Sequence, residues 1–514
     1  MSTVMADAGE ALSEPREFEL KLEFDPADMI ALSAHPLLAA SKREAQRLIS
    51  VYFDTDDLVL QKARICLRLR DTGHGYVQTI KAMDGAAHLF DRPEWEETVA
   101  GCDPNLALAA GTPLEPLLDE RVRAELHPAF QTRIERDVYR VDSNGSEIEV
   151  AFDRGEIEAA QRWSPVHEVE LELKHGNPVE LFRLARSLSA YAALTLAVKT
   201  KAERGYELAA GAAPGAEKAA ELDLDRGMTC QEAFRAIGEN CLRQVIVNAP
   251  AVCAGEAPGL HQMRIGLRRL RAAIAAFSKL LADSERDRIK TELEWMTNTL
   301  GPARDLDVFE AEFLRLRDSG QGDDASPATT RRVFDQSRAE AYGAAVAAIG
   351  SERYRNLLLD AAEWIEAGAW TVDASLRGRR ERSAVDHAVK MLGRERKRIK
   401  AEGTKLRKLG VKQRHRIRIM AKNLRYALEF FAGLFPGDKT AARREAALSA
   451  LKDLQDELGA LNDLAQSEAL IASGHGLGEQ AKALLTSKEA DIDRLLGRAQ
   501  AAHTRFAEVR SFWK

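Results

Sequence analysis

The sequence predicts an α+β chain: an N-terminal antiparallel β-barrel followed by an all-α domain of two pseudo-symmetric helical bundles. Three observations carry that prediction. Apolar and polar residues alternate at the period of a strand, in segment after segment, from residue 16 to about residue 208. From residue 222 to 505 the period becomes helical, in long runs rich in Ala, Leu, Glu and Arg. Within that helical region a His/Arg pattern occurs twice.

At 514 residues the chain needs more than one core. A hydrophobic fraction of 45% and a charged fraction of 30% describe a soluble globular protein, and the net charge of −6 conceals local concentrations of both signs. No apolar run reaches the roughly 18 residues of a membrane helix. The acidic N-terminus lacks a signal-like apolar core, so a cytoplasmic location is expected. Cys66, Cys102, Cys230, Cys241 and Cys253 are scattered, with neither zinc-like spacing nor a disulfide framework.

The first strand is Glu17-Phe18-Glu19-Leu20-Lys21-Leu22-Glu23. Phe18, Leu20 and Leu22 take one face, and Glu17, Glu19, Lys21 and Glu23 take the other. Further strands are expected at 48–53, 65–70, 76–81, 95–99, 132–141, 147–152 and 166–174, with helices near 26–33 and 178–193. Several strands carry charge on one face only: Arg68 with Arg70, Thr79 with Lys81, and Glu168, Glu170, Glu172 and Lys174. A sandwich with a solvated outer face would accept such rows. Acidic and basic rows together are what a closed barrel with a polar lumen requires.

With these segments in order, the strand-rich region resembles a CYTH domain, the triphosphate tunnel family. The matching residues are Glu17-Phe18-Glu19-Leu20-Lys21 in place of a Glu-x-Glu-x-Lys signature, Tyr52-Phe53-Asp54-Thr55, Leu67-Arg68-Leu69-Arg70, Thr79-Ile80-Lys81 and Arg92-Pro93-Glu94. They continue through Ile148 to Gly155, Glu168-Val169-Glu170-Leu171-Glu172-Leu173 and Lys201-Ala202-Glu203-Arg204-Gly205-Tyr206. The resemblance implies a tunnel that binds a triphosphate and hydrolyses it with Mg²⁺ or Mn²⁺. Arg offers phosphate a bidentate fork and Lys a point charge. Arg68, Arg70, Lys81, Arg92, Arg136, Lys199, Lys201 and Arg204 are therefore the expected substrate-binding residues.

Carboxylates beside a polyanion need a divalent ion between them. The resemblance implies Glu17 and Glu19 with Glu170 and Glu172 as its ligands. Glu168 shares their face, and Asp153 is an addition from a neighbouring strand. Spacing does not choose among Glu168, Glu170 and Glu172. Lys21, with Glu19, is the expected catalytic pair, the lysine orienting the attacking water or tuning its pKa. The structural alternative for Lys21 is an ion pair with Glu19 or Glu23. No Ser-His-Asp or Cys-His arrangement indicates a covalent intermediate.

Small residues from Ala209 to Ala216 have the composition of a linker. The expected boundaries are a tunnel domain at 16–208, a linker at 209–221 and a helical domain at 222–505. In the helical region, His261, Arg264, Arg268 and Arg271 recur as His415, Arg418, Lys422 and Arg425, each set forming one stripe along a helix. Leu300-Gly301-Pro302-Ala303-Arg304-Asp305-Leu306 recurs as Leu458-Gly459-Ala460-Leu461-Asn462-Asp463-Leu464, with the copies joined near 318–328. Asn462 in place of Arg304 is a departure.

This region resembles a CHAD domain, a histidine-containing helical domain often fused to CYTH domains. The resemblance implies polyphosphate binding through His261, Arg264, Arg268, Arg271, His415, Arg418, Lys422 and Arg425. A nucleic-acid footprint is the other meaning of such basic runs, and the lack of stacking aromatics argues against it. The expectation is a metal-dependent inorganic triphosphatase that yields pyrophosphate and phosphate, with a second domain that binds inorganic polyphosphate, in the cytoplasm and at polyphosphate granules, with no membrane partner. The alternatives are thiamine triphosphate hydrolysis or ATP cyclisation by the CYTH domain, and a non-hydrolysing granule-binding protein.

Overall fold

The structure, a computed structural model, describes residues 16–82, 89–211, 215–318, 328–472 and 492–513. The side chains of Arg16, Glu17, Asp91, Arg92, 312–318, 328–331, Val333 and 462–472 lie outside the description. The expected join near 318–328 lies largely outside the described residues, as does some of the expected linker. The chain divides into two compact units at Ala213/Pro214.

The first unit holds a nine-stranded antiparallel sheet in the order β5-β4-β3-β2-β6-β7-β8-β1-β9. The strands are β1 Arg16–Glu23, β2 Arg43–Asp54, β3 Ile65–Asp71, β4 Tyr76–Ala82, β5 Asp91–Val99, β6 His127–Ser143, β7 Ser146–Ala159, β8 Arg162–His175 and β9 Thr195–Ala197. β1 also pairs with β5, through Arg16↔Pro93, Glu17↔Arg92 and Phe18↔Asp91. Glu19 N–H then donates to the Phe90 carbonyl at 2.8 Å.

Period-two alternation separates two environments. Phe53, Ile65, Leu67, Leu69 and Ile80 on one face bury themselves against Leu114, Leu118 and Val122. On β1 and β8, Leu20, Leu22, Val169 and Leu171 are fully buried on the corresponding face, and helix Val179–Ser189 packs on β8. The opposite face changes character along each strand. Leu48, Tyr52, Cys66, Phe130, Ile134, Ile157 and Val166 form an apolar cluster with Ala202 and Tyr206 of helix Lys201–Ala210. A few residues along the same strands stand Ser50, Arg68, Arg136, Asp153 and Glu168. Gly205 permits the helix to lie on Phe130, because a Cβ there would come within 2.1 Å of the ring.

The second unit is helical. Capped by Thr229, helix Cys230–Val247 packs against helix Ala257–Ala276 and helix Glu352–Ala367. Phe234, Phe277, Trp364 and Trp370 form its aromatic centre. Helices Ala257–Ala276 and Val411–Phe430 carry the two repeated stripes and pack on one another. The copies differ downstream. Helices Ser284–Thr299 and Gly301–Asp318 in the first correspond to one continuous helix, Asp438–Ala472, in the second. Pro302 lacks the amide that a continuous helix would use, whereas Ala460 supplies it. Among the described residues no helix is long and apolar enough to cross a membrane.

Candidate phosphate and metal sites

Strand register gathers the carboxylates. β1 places Glu19 opposite Glu172, Lys21 opposite Glu170 and Glu23 opposite Glu168. On the other edge of β8, Asp153 of β7 stands opposite Glu168, and Arg136 of β6 stands opposite Asp153. One ligand atom from each of Asp153, Glu168 and Glu170 falls within 4.8 Å of the others. Asp153 and Glu168 are 0% and 1% exposed.

Four cations enter this cluster: Lys21, Lys201, Arg136 and, at 3.8 Å from Glu168, Arg204. Lys21 Nζ lies 3.1 Å from Glu170, 3.8 Å from Glu19 and 4.0 Å from Glu168. Lys201 Nζ lies 2.7 Å from Asp153 and 3.0 Å from Glu170, and it also contacts Glu168. Arg136 grips Asp153 with two bonds, at 2.6 and 2.7 Å, and reaches Glu170 at 2.5 Å. Burial alone would push the Glu170 and Asp153 carboxyls up, but Lys201, Lys21 and Arg136 hold Glu170 well below its usual range, and Lys201 and Arg136 lower Asp153. Burial opposes charge on Lys201 and Lys21 as well, and the surrounding carboxylates raise both. Glu170, Asp153, Lys201 and Lys21 are thus each kept charged by their neighbours.

The cluster fits a hard divalent ion by its donors, which are oxygens from the buried carboxylates of Asp153 and Glu168 and the partly buried one of Glu170. Glu168 Oε2 is buried and accepts no hydrogen bond, so donor capacity remains. Glu172 sits on the same strand face and contacts Lys174. The Glu17 side chain lies outside the described residues, although its backbone pairs with Arg92.

A second group of charges lies on β3, β4 and β5. Arg68 donates to Thr79 at 2.8 Å and to Glu96 at 3.1 Å, and Lys81 pairs with Glu94 at 2.6 Å. Arg70 donates to Ser50 at 3.2 Å, and its field neighbours include Arg136 and Asp153, which ties this group to the carboxylate cluster. Burial, with Arg68 and Arg136 beside it, pushes Arg70 down to about 10. Arg204 reaches Glu168 at 3.8 Å and also donates to Ser164 and to the Pro165 carbonyl. Lys199 turns instead to Glu207, at 2.5 Å. The Arg92 side chain lies outside the described residues.

Sequence reasoning did not single out Glu96, and it named Asp54 only within a matching segment, with no role; Asp54 accepts a hydrogen bond from Tyr206 at 2.9 Å. Glu96 could have been found as the residue two beyond Glu94 on a strand opposite Thr79. Asp54 and Tyr206 lie far apart in sequence, so only the fold joins them.

In the helical unit, the two stripes bring like charges together. Lys422 is partly buried beside Arg268, Arg418, Arg425 and Arg264; burial first, then those guanidinium groups, push it down to about 7. Arg264 is lowered to about 10 by burial, with Arg268 and Arg304 adding to it, while Asp305 opposes. Burial and then Arg304, Arg268, Arg264 and Lys422 lower His261. Arg264 donates to the Thr297 carbonyl at 2.9 Å, and its Nη1 would meet a Cβ on Gly301 at 3.4 Å. The second copy repeats that approach, with Arg418 3.7 Å from a Cβ on Gly459. Arg271 instead pairs with Glu294 at 3.5 Å, and Arg425 with Glu429 at 2.7 Å. His415 is exposed on its helix. Arg304 joins the cluster by its field, whereas the Asn462 side chain lies outside the described residues.

Two family models match the chain. The CYTH domain model matches residues 15–206 and the CHAD domain model matches residues 236–472. An inorganic triphosphatase of Haemophilus influenzae is 32% identical over 198 residues, 38% of this chain and 55% of that protein, so the match spans about half of the relative's length. An uncharacterized protein of Mycobacterium tuberculosis is 26% identical over 517 residues, covering 94% of this chain and 95% of its own. Among solved structures, the CHAD domain from the plant Ricinus communis aligns with 58% of this chain and 98% of its own, at a TM-score of 0.48 and 28% identity.

Proposed function

For a chain that joins a CYTH domain to a CHAD domain, we propose metal-dependent hydrolysis of inorganic triphosphate in the first unit and polyphosphate binding in the second. The observation that carries the reading is the convergence of Lys21, Lys201 and Arg136 on Asp153, Glu168 and Glu170, with Arg68, Arg70 and Lys81 on neighbouring strands. A polyanion alone would be repelled by those buried carboxylates. A triphosphate accompanied by Mg²⁺ or Mn²⁺ matches both signs of charge.

The β1–β5 pairing joins β5, at one end of the sheet order, to β1, next to last at the other, which supports a closed barrel around the charged face. Packing by Tyr52, Phe130 and Tyr206 fills one end of that face. That favours a compact inorganic substrate over thiamine triphosphate or ATP, whose organic group needs room.

In this reading Asp153, Glu168, Glu170 and Glu19 hold the ion, with Glu17 and Glu172 the further ligands that the strand pattern offers. When bound, the ion supplies charge neutralisation and acidifies the attacking water. Arg68, Arg70 and Lys81, with Arg92 from β5, orient the phosphate chain and take up charge on the leaving pyrophosphate. Arg136 and Arg204 bridge carboxylates and phosphate, and Lys201, beside the same carboxylates, offers its ammonium to the phosphate. Lys21 orients the water, since its ammonium spans Glu19 and Glu170. Lys199, turned to Glu207, contributes through the field rather than by contact.

In the second unit the mutual repulsion of Arg264, Arg268, Arg418 and Lys422, beside His261, is relieved by a linear polyanion. Arg271, Arg425 and His415 extend the basic surface along the same helices. Polyphosphate granules are the place to which this unit would bring the chain. The test is phosphate release from tripolyphosphate, thiamine triphosphate and ATP with Mg²⁺ or Mn²⁺, together with cyclic AMP formation from ATP. Tripolyphosphate should be turned over at least about tenfold faster than either organic substrate. Cyclic AMP formation, or preference for an organic substrate, would replace this reading.

A further inference from the structure

We infer that Lys201 is the resting counter-ion of the Asp153–Glu168–Glu170 cluster, and that a divalent cation enters only as the Lys201 ammonium withdraws. The inference rests on the metal-dependent reading of this site.

Lys201 is the first residue of helix Lys201–Ala210, and that helix is fixed in three ways. Thr200 and Glu203 form a reciprocal cap, with bonds of 2.8 and 3.0 Å. Gly205 lies against the Phe130 ring, where no side chain would fit. Tyr206 donates to Asp54, a fully buried carboxylate that also accepts the backbone N–H groups of Thr55, Leu60 and Gln61. Lys201 is therefore aimed by the fold.

Its ammonium ends among all three carboxylates, at 2.7 Å from Asp153, at 3.0 Å from Glu170 and in contact with Glu168. A divalent ion would call on the same oxygens, which lie within 4.8 Å of one another. Two cations competing for one set of oxygens repel strongly in a buried site. Charge balance points the same way: the carboxylates of Glu19, Asp153, Glu168 and Glu170 are matched by Lys21, Lys201, Arg136 and Arg204. A bound triphosphate offers the displaced ammonium new oxygen acceptors. Metal and triphosphate thereby strengthen each other's binding, and the cluster holds metal weakly when no phosphate is present.

Calorimetric titration of the full-length chain with Mn²⁺ alone, without phosphate, tests this. Lys201→Met should bind Mn²⁺ about tenfold or more tightly than the wild type, because a competing charge is gone. Lys201→Arg, which keeps the charge, should stay within about twofold of the wild type. Lys201→Gln repeats the neutral arm if the Met variant does not fold, as judged by thermal melting. Folded neutral variants that bind Mn²⁺ no more tightly than the wild type would overturn the inference. Metal-dependent phosphate release by the wild type, measured alongside, would in that case leave the triphosphatase reading standing. Absence of that release, with tighter Mn²⁺ binding by the neutral variants, would remove the reading and keep the counter-ion.

Discussion

The two units treat positive charge in opposite ways. In the strand unit Lys21, Lys201, Arg136, Arg68 and Lys81 each have a carboxylate within 4.0 Å. In the helical unit Lys422 is surrounded by Arg268, Arg418, Arg425 and Arg264, and every one of those neighbours disfavours its charge. Mixed charge suits a site that must hold a cation and a phosphate together and change their partnership during a reaction. A cluster whose basic groups mainly face one another suits a surface that waits for a polyanion. The difference teaches that basic residues in the two halves stand in separate electrostatic environments, although composition alone makes them look alike.

The largest effect that would break this comparison lies in the strand unit. Glu170→Gln removes the carboxylate shared by Lys21, Lys201 and Arg136, so phosphate release from tripolyphosphate should fall about 10³-fold. Polyphosphate binding by the same variant, followed by fluorescence anisotropy, should be unchanged. Equal losses in both assays would merge the two sites into one.

A smaller effect is expected on the helices. Arg268→Ala should weaken polyphosphate binding about tenfold, the worth of a lost charge-assisted hydrogen bond, and should leave tripolyphosphate turnover within about twofold of wild type. Loss of turnover would show that the basic helices serve the reaction.

Dependence on pH sharpens the contrast. Lys422 has its free-state pKa lowered to about 7, so it is charged below that pH and neutral above it. A bound polyanion favours the charged form and raises the pKa, so affinity should increase as pH falls from about 9 to 6, with proton uptake on binding near pH 7 to 8. Calorimetry in buffers of different ionisation enthalpy would measure that uptake, and Lys422→Met should reduce it. The acidic cluster has the opposite sign. Asp153 and Glu170 are lowered in the fold, so their contribution to stability is present above the ordinary carboxyl range and is lost as pH falls below it.

The smallest effect concerns the helix that aims Lys201. Tyr206→Phe removes one donor from Asp54 and leaves its three backbone donors, which should cost about 1.5 kcal/mol and lower the melting midpoint by a few degrees.

Much of this was legible in the sequence. Alternation in β1 and β8 put Glu19, Lys21, Glu168, Glu170 and Glu172 on their faces, because a strand has only two. Helical spacing similarly set Arg264 beside Arg268 and Arg418 beside Lys422. Register was not legible, since nothing local says that Asp153 stands opposite Glu168 or that Lys21 meets Glu170. Helix Lys201–Ala210 was visible only as a motif, and its role depends on Phe130 and Asp54, both distant in sequence. The short β9, Thr195–Ala197, carries too few residues for a periodic signal.

Metal-dependent triphosphate hydrolysis is tested most directly by phosphate release from tripolyphosphate by the full-length chain, with Mg²⁺, Mn²⁺ or a chelator, alongside Glu19→Gln. Turnover that requires metal and is abolished by Glu19→Gln is the predicted result. No release with either metal, or release that survives both the chelator and the substitution, would contradict it.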